Sequence, residues 1–172
     1  DARDAGALHA GTVAMPGVQA VPGDVVDPRH RAAVVAAAGD RLDLLVHNAS
    51  ALGPSPLPGL AAYPLDALRR VYEVDVLAPV ALTQLALPAL QRAPAPTVVV
   101  LSSDAATEAY PGWGGYGSAK AALDHIAAVL AAEHPDLRVY AFDPGDMRTA
   151  MHQAAFPGED ISDRADPATV AP

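Results

Sequence analysis

The sequence predicts an α/β fold built on a parallel sheet, and three observations carry that prediction. Short apolar runs rich in β-branched residues alternate with longer stretches of helical pattern. The clearest run, Thr97-Val98-Val99-Val100-Leu101, is apolar throughout its centre, as a strand buried on both faces must be. The 172 residues, 51% of them hydrophobic, show no internal repeat and no linker, so residues 1–172 read as one domain with a substantial core.

Taken in order, residues 18–21 read as a short strand leading to Asp24. Asp27 caps a helix with Pro28 in its first turn, Val34 and Val35 on its apolar stripe and Gly39 at its end. Residues 42–46 form the next strand, and residues 51–64, rich in Pro and Gly, a loop of the kind that skirts an active site. An Ala- and Leu-rich helical region runs on to Arg92, bent or interrupted around Pro79 and Pro88. Strand 97–101, a helix over about 116–133 and a strand over 137–142 complete the alternation. Residues 166–172 look like the opening of one more helix.

Composition excludes several functions. A net charge of −9 leaves no basic face for nucleic acid, and zero cysteines leave no disulfide or thiolate metal site. The six histidines lack paired metal-ligand spacing, so no metal is expected. No uninterrupted apolar run reaches membrane-spanning length and no signal peptide is visible, which makes the cytoplasm the default location.

The chemistry points to residues 102–120. Tyr116 and Lys120 stand four apart in Tyr116-Gly117-Ser118-Ala119-Lys120 and share one helix face. Tyrosine titrates near pH ~10, but a nearby ammonium favours the phenolate. At ~4 Å and an effective dielectric near ~20 the pair is worth roughly 4 kcal/mol, enough to lower the tyrosine by two to three units. The strand 97–101 delivers Ser102 and Ser103 at its carboxyl end, where ligands of open α/β sheets bind. Ser103 precedes Tyr116 by thirteen positions, and the loop 109–115 between them is able to fold the helix start back over the strand end. Trp113 in that loop reads equally as a lid over substrate or as a packed ring.

These motifs, in this order, resemble the short-chain dehydrogenase/reductase family, whose pattern is a strand ending in Ser followed by Tyr-x-x-x-Lys. Leu44-Leu45-Val46-His47-Asn48-Ala49-Ser50 is similar to the family's strand and Asn-Asn-Ala-Gly, with His47 for the first Asn and Ser50 for the Gly. Glu73-Val74-Asp75-Val76-Leu77-Ala78-Pro79 resembles the segment bearing the fourth catalytic residue, with Asp75 for the usual Asn. Asp143-Pro144-Gly145-Asp146-Met147-Arg148-Thr149 resembles Pro-Gly-x-x-x-Thr, and Gly23-Asp24-Val25 the Asp-Val pair at the adenine.

The resemblance implies a Rossmann-like doubly wound sheet in three α/β/α layers and a hydride exchanged between NAD(P) and a small-molecule carbonyl or secondary alcohol. In it Tyr116 is the proton donor and acceptor, Ser103 binds the carbonyl oxygen, Lys120 lowers the tyrosine's pKa and binds ribose, and Asp75 stands in a proton relay. It places Asp24, Val25, Asn48, Ala49, Ser50, Pro144, Gly145, Met147 and Thr149 on the cofactor, together with Tyr116 and Lys120. Asp75→Asn is expected to leave activity within a few-fold. Asp1-Ala2-Arg3-Asp4 opens where the family reads the cofactor's ribose, and Arg3 favours NADP over NAD.

No glycine-rich turn stands before Asp24. The chain therefore reads as a partial sequence, lacking the first strand and helix and cut short at the far end. The segment after Thr149, with Met151, His152, Phe156 and Pro157, is expected to cover the substrate. The resemblance also implies a homodimer or homotetramer of the intact parent through the helices over 76–90 and 116–133. Two rivals stand beside the enzyme: a non-catalytic nucleotide-binding relative serving as sensor or binding module, and an inactive fragment.

Overall fold

Three parallel strands form the centre of the computed structural model, which describes residues 3–170. Strand β1 (Leu44–His47) pairs with β2 (Thr97–Leu101), and β2 with β3 (Arg138–Phe142), in the order β1-β2-β3. The register sets Leu45 beside Val98 and Val139, and His47 beside Val100 and Ala141. Because side chains alternate along a strand, these residues share one face of the sheet.

That face is covered. Helix α4 (Ala78–Leu90) brings Leu82, Ala86 and Leu90 onto Leu45, Val98 and Leu137, and α2 (Pro28–Ala38) adds Val35 at the margin. Helix α5 (Gly114–Glu133) lays Leu123 and Ala127 on Val100. Helix α1 (Ala5–Thr12) buries none of its residues. The opposite sheet face, with Leu44, Val46, Tyr140 and Phe142, is about half exposed. The parallel α/β class is as predicted, while the described residues form the sheet and one of the two expected helical layers.

Local signals set the helix ends. The Asp27 carboxylate accepts the Arg29 N–H at 2.8 Å, Pro28 follows, and Gly39 ends α2 at a φ of 78° that favours glycine. Residues 18–21 correct the sequence reading: they form no strand. A strand exists only with a ladder partner, and β1, the edge of the described sheet, pairs with β2 alone. Of residues 166–172, α7 (Pro167–Val170) forms as expected, and Ala171 and Pro172 lie outside the described residues, as do Asp1 and Ala2. Helix α6 (Ala150–Ala155) follows the Pro-Gly segment.

Helix α3 (Leu65–Tyr72) runs into α4 through a π turn over Glu73–Leu77. The Ala78 N–H donates to the Glu73 carbonyl, five residues back. Pro79 has no N–H, so the Asp75 carbonyl loses its α-helical donor, and the ladder widens around it. The break predicted near Pro79 is this turn, whereas α4 continues through Pro88. The whole run Leu65–Leu90 has the length and hydropathy of a membrane-crossing helix, but its apolar side chains Val71, Ala78, Leu82, Ala86 and Leu90 are core.

His47 is buried against α4, its Nε2 2.9 Å from the Thr83 hydroxyl, and burial lowers its pKa to about 4. The folded state thus binds a proton more weakly than an unfolded chain with histidine near 6.5. Stability is full above about pH 6.5 and falls by on the order of 3 kcal/mol as the pH drops towards 4. Urea unfolding of His47→Asn between these pH values is expected to show a flatter dependence than the parent protein.

Candidate active site

Strand β2 ends at Leu101 and hands Ser102 and Ser103 to a tight 3₁₀ turn, Asp104–Ala106. Ser103 begins that turn: its Oγ accepts the Ala105 N–H at 3.2 Å and donates to Asp104 Oδ1 at 3.1 Å. Helix α5 starts directly over it. A Cβ on Gly117 would stand 2.5 Å from the Ala105 carbonyl oxygen, and one on Gly115 2.4 Å from the Tyr63 ring. Two glycines therefore let the helix approach closely enough to bring Tyr116 and Ser103 to one cleft.

Lys120, one turn further, is 2% exposed. Its Nζ donates to the Leu101 carbonyl at 2.7 Å and lies 5.4 Å from the centre of the Tyr116 ring. Asp75, fully buried in the π turn, accepts the Ala51 N–H at 2.7 Å and the Ser50 hydroxyl at 3.1 Å. It thereby ties the end of β1's loop to the helix that faces Lys120. Burial pushes the Asp75 carboxyl up to about 6 against the pull of Lys120, and lowers Lys120 against the pull of Asp75 and Asp124. Desolvation outweighs attraction on both sides of the pair.

The expected lowering of Tyr116 is corrected by the structure. Burial, and next the charge of Asp75, push the phenol up to about 12, while the Ser103 and Ser50 hydroxyls draw it the other way. Helical spacing puts Tyr116 and Lys120 on one face, but the ammonium is directed to the Leu101 carbonyl. Asp124 escaped the sequence reading: its Oδ2 accepts the Ser102 hydroxyl at 2.6 Å, which joins α5 to β2 one turn beyond Lys120, and its Oδ1 is buried without a partner.

The remaining predicted residues fall into two clefts at the carboxyl edge of the sheet. Ser103, Tyr116, Pro144, Gly145, Met147 and Thr149 line one of about 360 Å³. Arg3, Asp24, Val25, Asn48, Ala49 and Ser50 line the other, of about 750 Å³. Asp75 and Lys120 line neither. The carboxylate of Asp24 is already engaged, Oδ1 with the Val26 N–H at 3.0 Å and Oδ2 with Arg70 at 2.6 Å, which holds it below the usual carboxylate range against the opposing effect of burial. Thr149 also caps α6 through the His152 N–H at 3.1 Å. Trp113 packs edge-on against Tyr116 at 5.7 Å and lines the smaller cleft.

A Ser, a Tyr and a buried Lys thus gather at the end of the central strand. The model described as short chain dehydrogenase matches residues 5–160. The chain belongs to the short-chain dehydrogenase family. It is 38% identical over 133 residues to the oxidoreductase YciK of Escherichia coli strain K12, covering 77% of this chain and 52% of that one. It is 37% identical over 114 residues to mouse sepiapterin reductase, covering 65% and 44%. A crystal structure of a short chain dehydrogenase from Shigella flexneri 2a strain 301, complexed with NADP, matches with a TM-score of 0.75 at 30% identity, over 88% of this chain and 63% of that one. The chain thus spans about half the length of the curated relatives it matches.

The Asp75 carboxyl holds its proton more tightly when folded than at the ordinary value of 3.8. Its contribution is therefore most favourable below about pH 4 and is lost as the pH rises to about 6. Asp75→Asn keeps an acceptor for Ala51 and removes the titrating charge, so it is expected to flatten the fall in stability between pH 4 and pH 8. Denaturant midpoints at the two pH values check this.

Proposed function

We propose that the full-length protein is an NADP-dependent oxidoreductase that interconverts a carbonyl compound and a secondary alcohol. The observation that carries this reading is the convergence of Ser103 and Tyr116 on one cleft, with Lys120 buried behind the tyrosine.

The clefts suit the two ends of a nicotinamide dinucleotide. Around the smaller one, Gly145 turns at a φ of 72°, which keeps the backbone of the Pro-Gly segment bare for a flat ring. At the larger one, Arg3 supplies a cation for a ribose phosphate beside the committed Asp24, which supports NADP over NAD. When bound, the cofactor supplies or accepts the hydride. The chain's own residues manage the proton. Ser103 hydrogen-bonds the substrate oxygen, and Tyr116, its pKa pushed up to about 12, is held protonated, the form that gives the carbonyl oxygen its proton in reduction. Lys120 holds its charge between Leu101, Asp75 and Asp124, while Asp75 and the widened backbone at its carbonyl form the far end of a relay to Tyr116.

Leu85 on α4 and Val129 on α5 are 45% and 42% exposed, and α4 and α5 border an apolar hollow, which supports pairing of two copies through these helices. The protein is read as cytoplasmic.

Tyr116→Phe is expected to cost about a hundredfold or more in turnover while NADPH still binds in a fluorescence titration. Undiminished turnover would remove the proposal, and retained biological function without turnover would favour the binding-module rival. In the same titration Arg3→Ala is expected to weaken NADPH about tenfold and leave NADH unchanged. Alcohol oxidation is expected to accelerate as the pH rises through the alkaline range, because Tyr116 must lose its proton first. Asp75→Asn is expected to move that rise to lower pH and keep reduction within a few-fold.

A further inference from the structure

The substrate side of the smaller cleft has a definite character. Its wall is a chain of rings: Tyr116 meets Trp113 at 5.7 Å, Trp113 meets Phe156 at 5.9 Å, and Phe156 meets His152 at 4.9 Å. Trp113 and His152 line the cleft beside Tyr116, and a second hollow of about 280 Å³ continues on the other side of Trp113, bordered by Phe156 and Tyr110. The rings offer a flat substituent a face at the place where its carbonyl would reach the Tyr116 hydroxyl.

The charges on this cleft have one sign. Asp104, Asp143 and Asp146 line it, and among the described residues no lysine or arginine does. Asp104 is held by neutral donors, the Ser103 and Tyr110 hydroxyls and the Ala105 N–H, and Asp143 accepts the Gly145 N–H. Asp146 pairs with Arg164 at 3.5 Å and lies 3.7 Å from the His152 Nδ1, and Arg164 also contacts Asp163 and His152. Lys120 is sealed beneath Tyr116. An anionic substituent entering here meets an excess of like charge, because the one guanidinium of Arg164 is shared between Asp146 and Asp163 while Asp104 and Asp143 have neutral donors, and a neutral or cationic one does not.

Resting on the reading of this cleft as the site of carbonyl reduction, we infer that the substrate is an uncharged or cationic carbonyl compound bearing an aromatic ring, and that carboxylate- or phosphate-bearing carbonyl compounds are rejected. Trp113 and Phe156 select the ring and Asp146, with Asp104, rejects the anion.

The test uses the full-length protein with NADPH and pairs of ketones matched in size. Methyl 4-acetylbenzoate is expected to exceed 4-acetylbenzoate at least tenfold in kcat/KM at low salt. The ratio should shrink as ionic strength rises and at least halve in Asp146→Asn. Acetophenone should exceed cyclohexyl methyl ketone, with the difference lost in Trp113→Ala. Equal use of the ester and the acid, or a ratio that neither salt nor Asp146→Asn changes, overturns the charge rule. Preference for the cyclohexyl ketone overturns the aromatic rule, and in both cases Tyr116-dependent turnover leaves the reductase reading standing. Absence of Tyr116-dependent turnover with every ketone overturns that reading and this inference with it.

Discussion

Burying a lysine ammonium under the end of the central strand is the constraint on which the site depends. A charge removed from water demands partners, and Lys120 finds the Leu101 carbonyl, the Asp75 carboxylate and the field of Asp124. Each partner belongs to a different part of the fold: the tip of β2, the π turn, and α5 itself. Asp75 passes the constraint on, because its two oxygens take the Ser50 hydroxyl and the Ala51 N–H and so fix the loop after β1. A single desolvated cation thus couples three elements that are remote in sequence. Burial and the charge of Asp75 likewise hold the Tyr116 phenol in its protonated form.

Wherever the determining interaction is local, the sequence was legible. Asp27, Pro28 and Gly39 bracket α2 as read, and the apolar run around Val99 became β2 with Ser103 at its end. Ser103 and Tyr116 line one cleft, with Lys120 buried. What escaped reading depends on direction and on distant partners. Four-residue spacing brings Lys120 alongside Tyr116 but does not say where its Nζ points, and the tyrosine's pKa moved the opposite way from the expectation. The strand at 18–21 needed a neighbour that local propensity cannot supply. Ser102 and Asp124 are twenty-two residues apart, and nothing in either segment announces their bond.

The sheet itself is asymmetric in its finish. Leu45, Val98, Val100 and Val139 are sealed by α4 and α5, and this sealed half fixes the strand ends from which Ser103 and the Pro-Gly segment project. Leu44, Val46, Tyr140 and Phe142 line the other face at about half exposure. Stability from burial is therefore concentrated on the side that also carries Lys120 and Asp75, so the packed half of the fold and the chemistry share the same side chains and the same helices.

The π turn at Glu73–Leu77 has a consequence for how this chain can change over time. A π turn carries one residue more than the helix around it, and each residue turns a helix by about 100°. Deleting that residue would restore a regular ladder and at the same time swing Leu82, Ala86 and Leu90 away from the sheet they cover. The length of this segment is thus a phase setting between two helices. Single substitutions can pass through it one at a time, but gain or loss of a residue would throw the Asp75 carboxylate and the hydrophobic core out of step together.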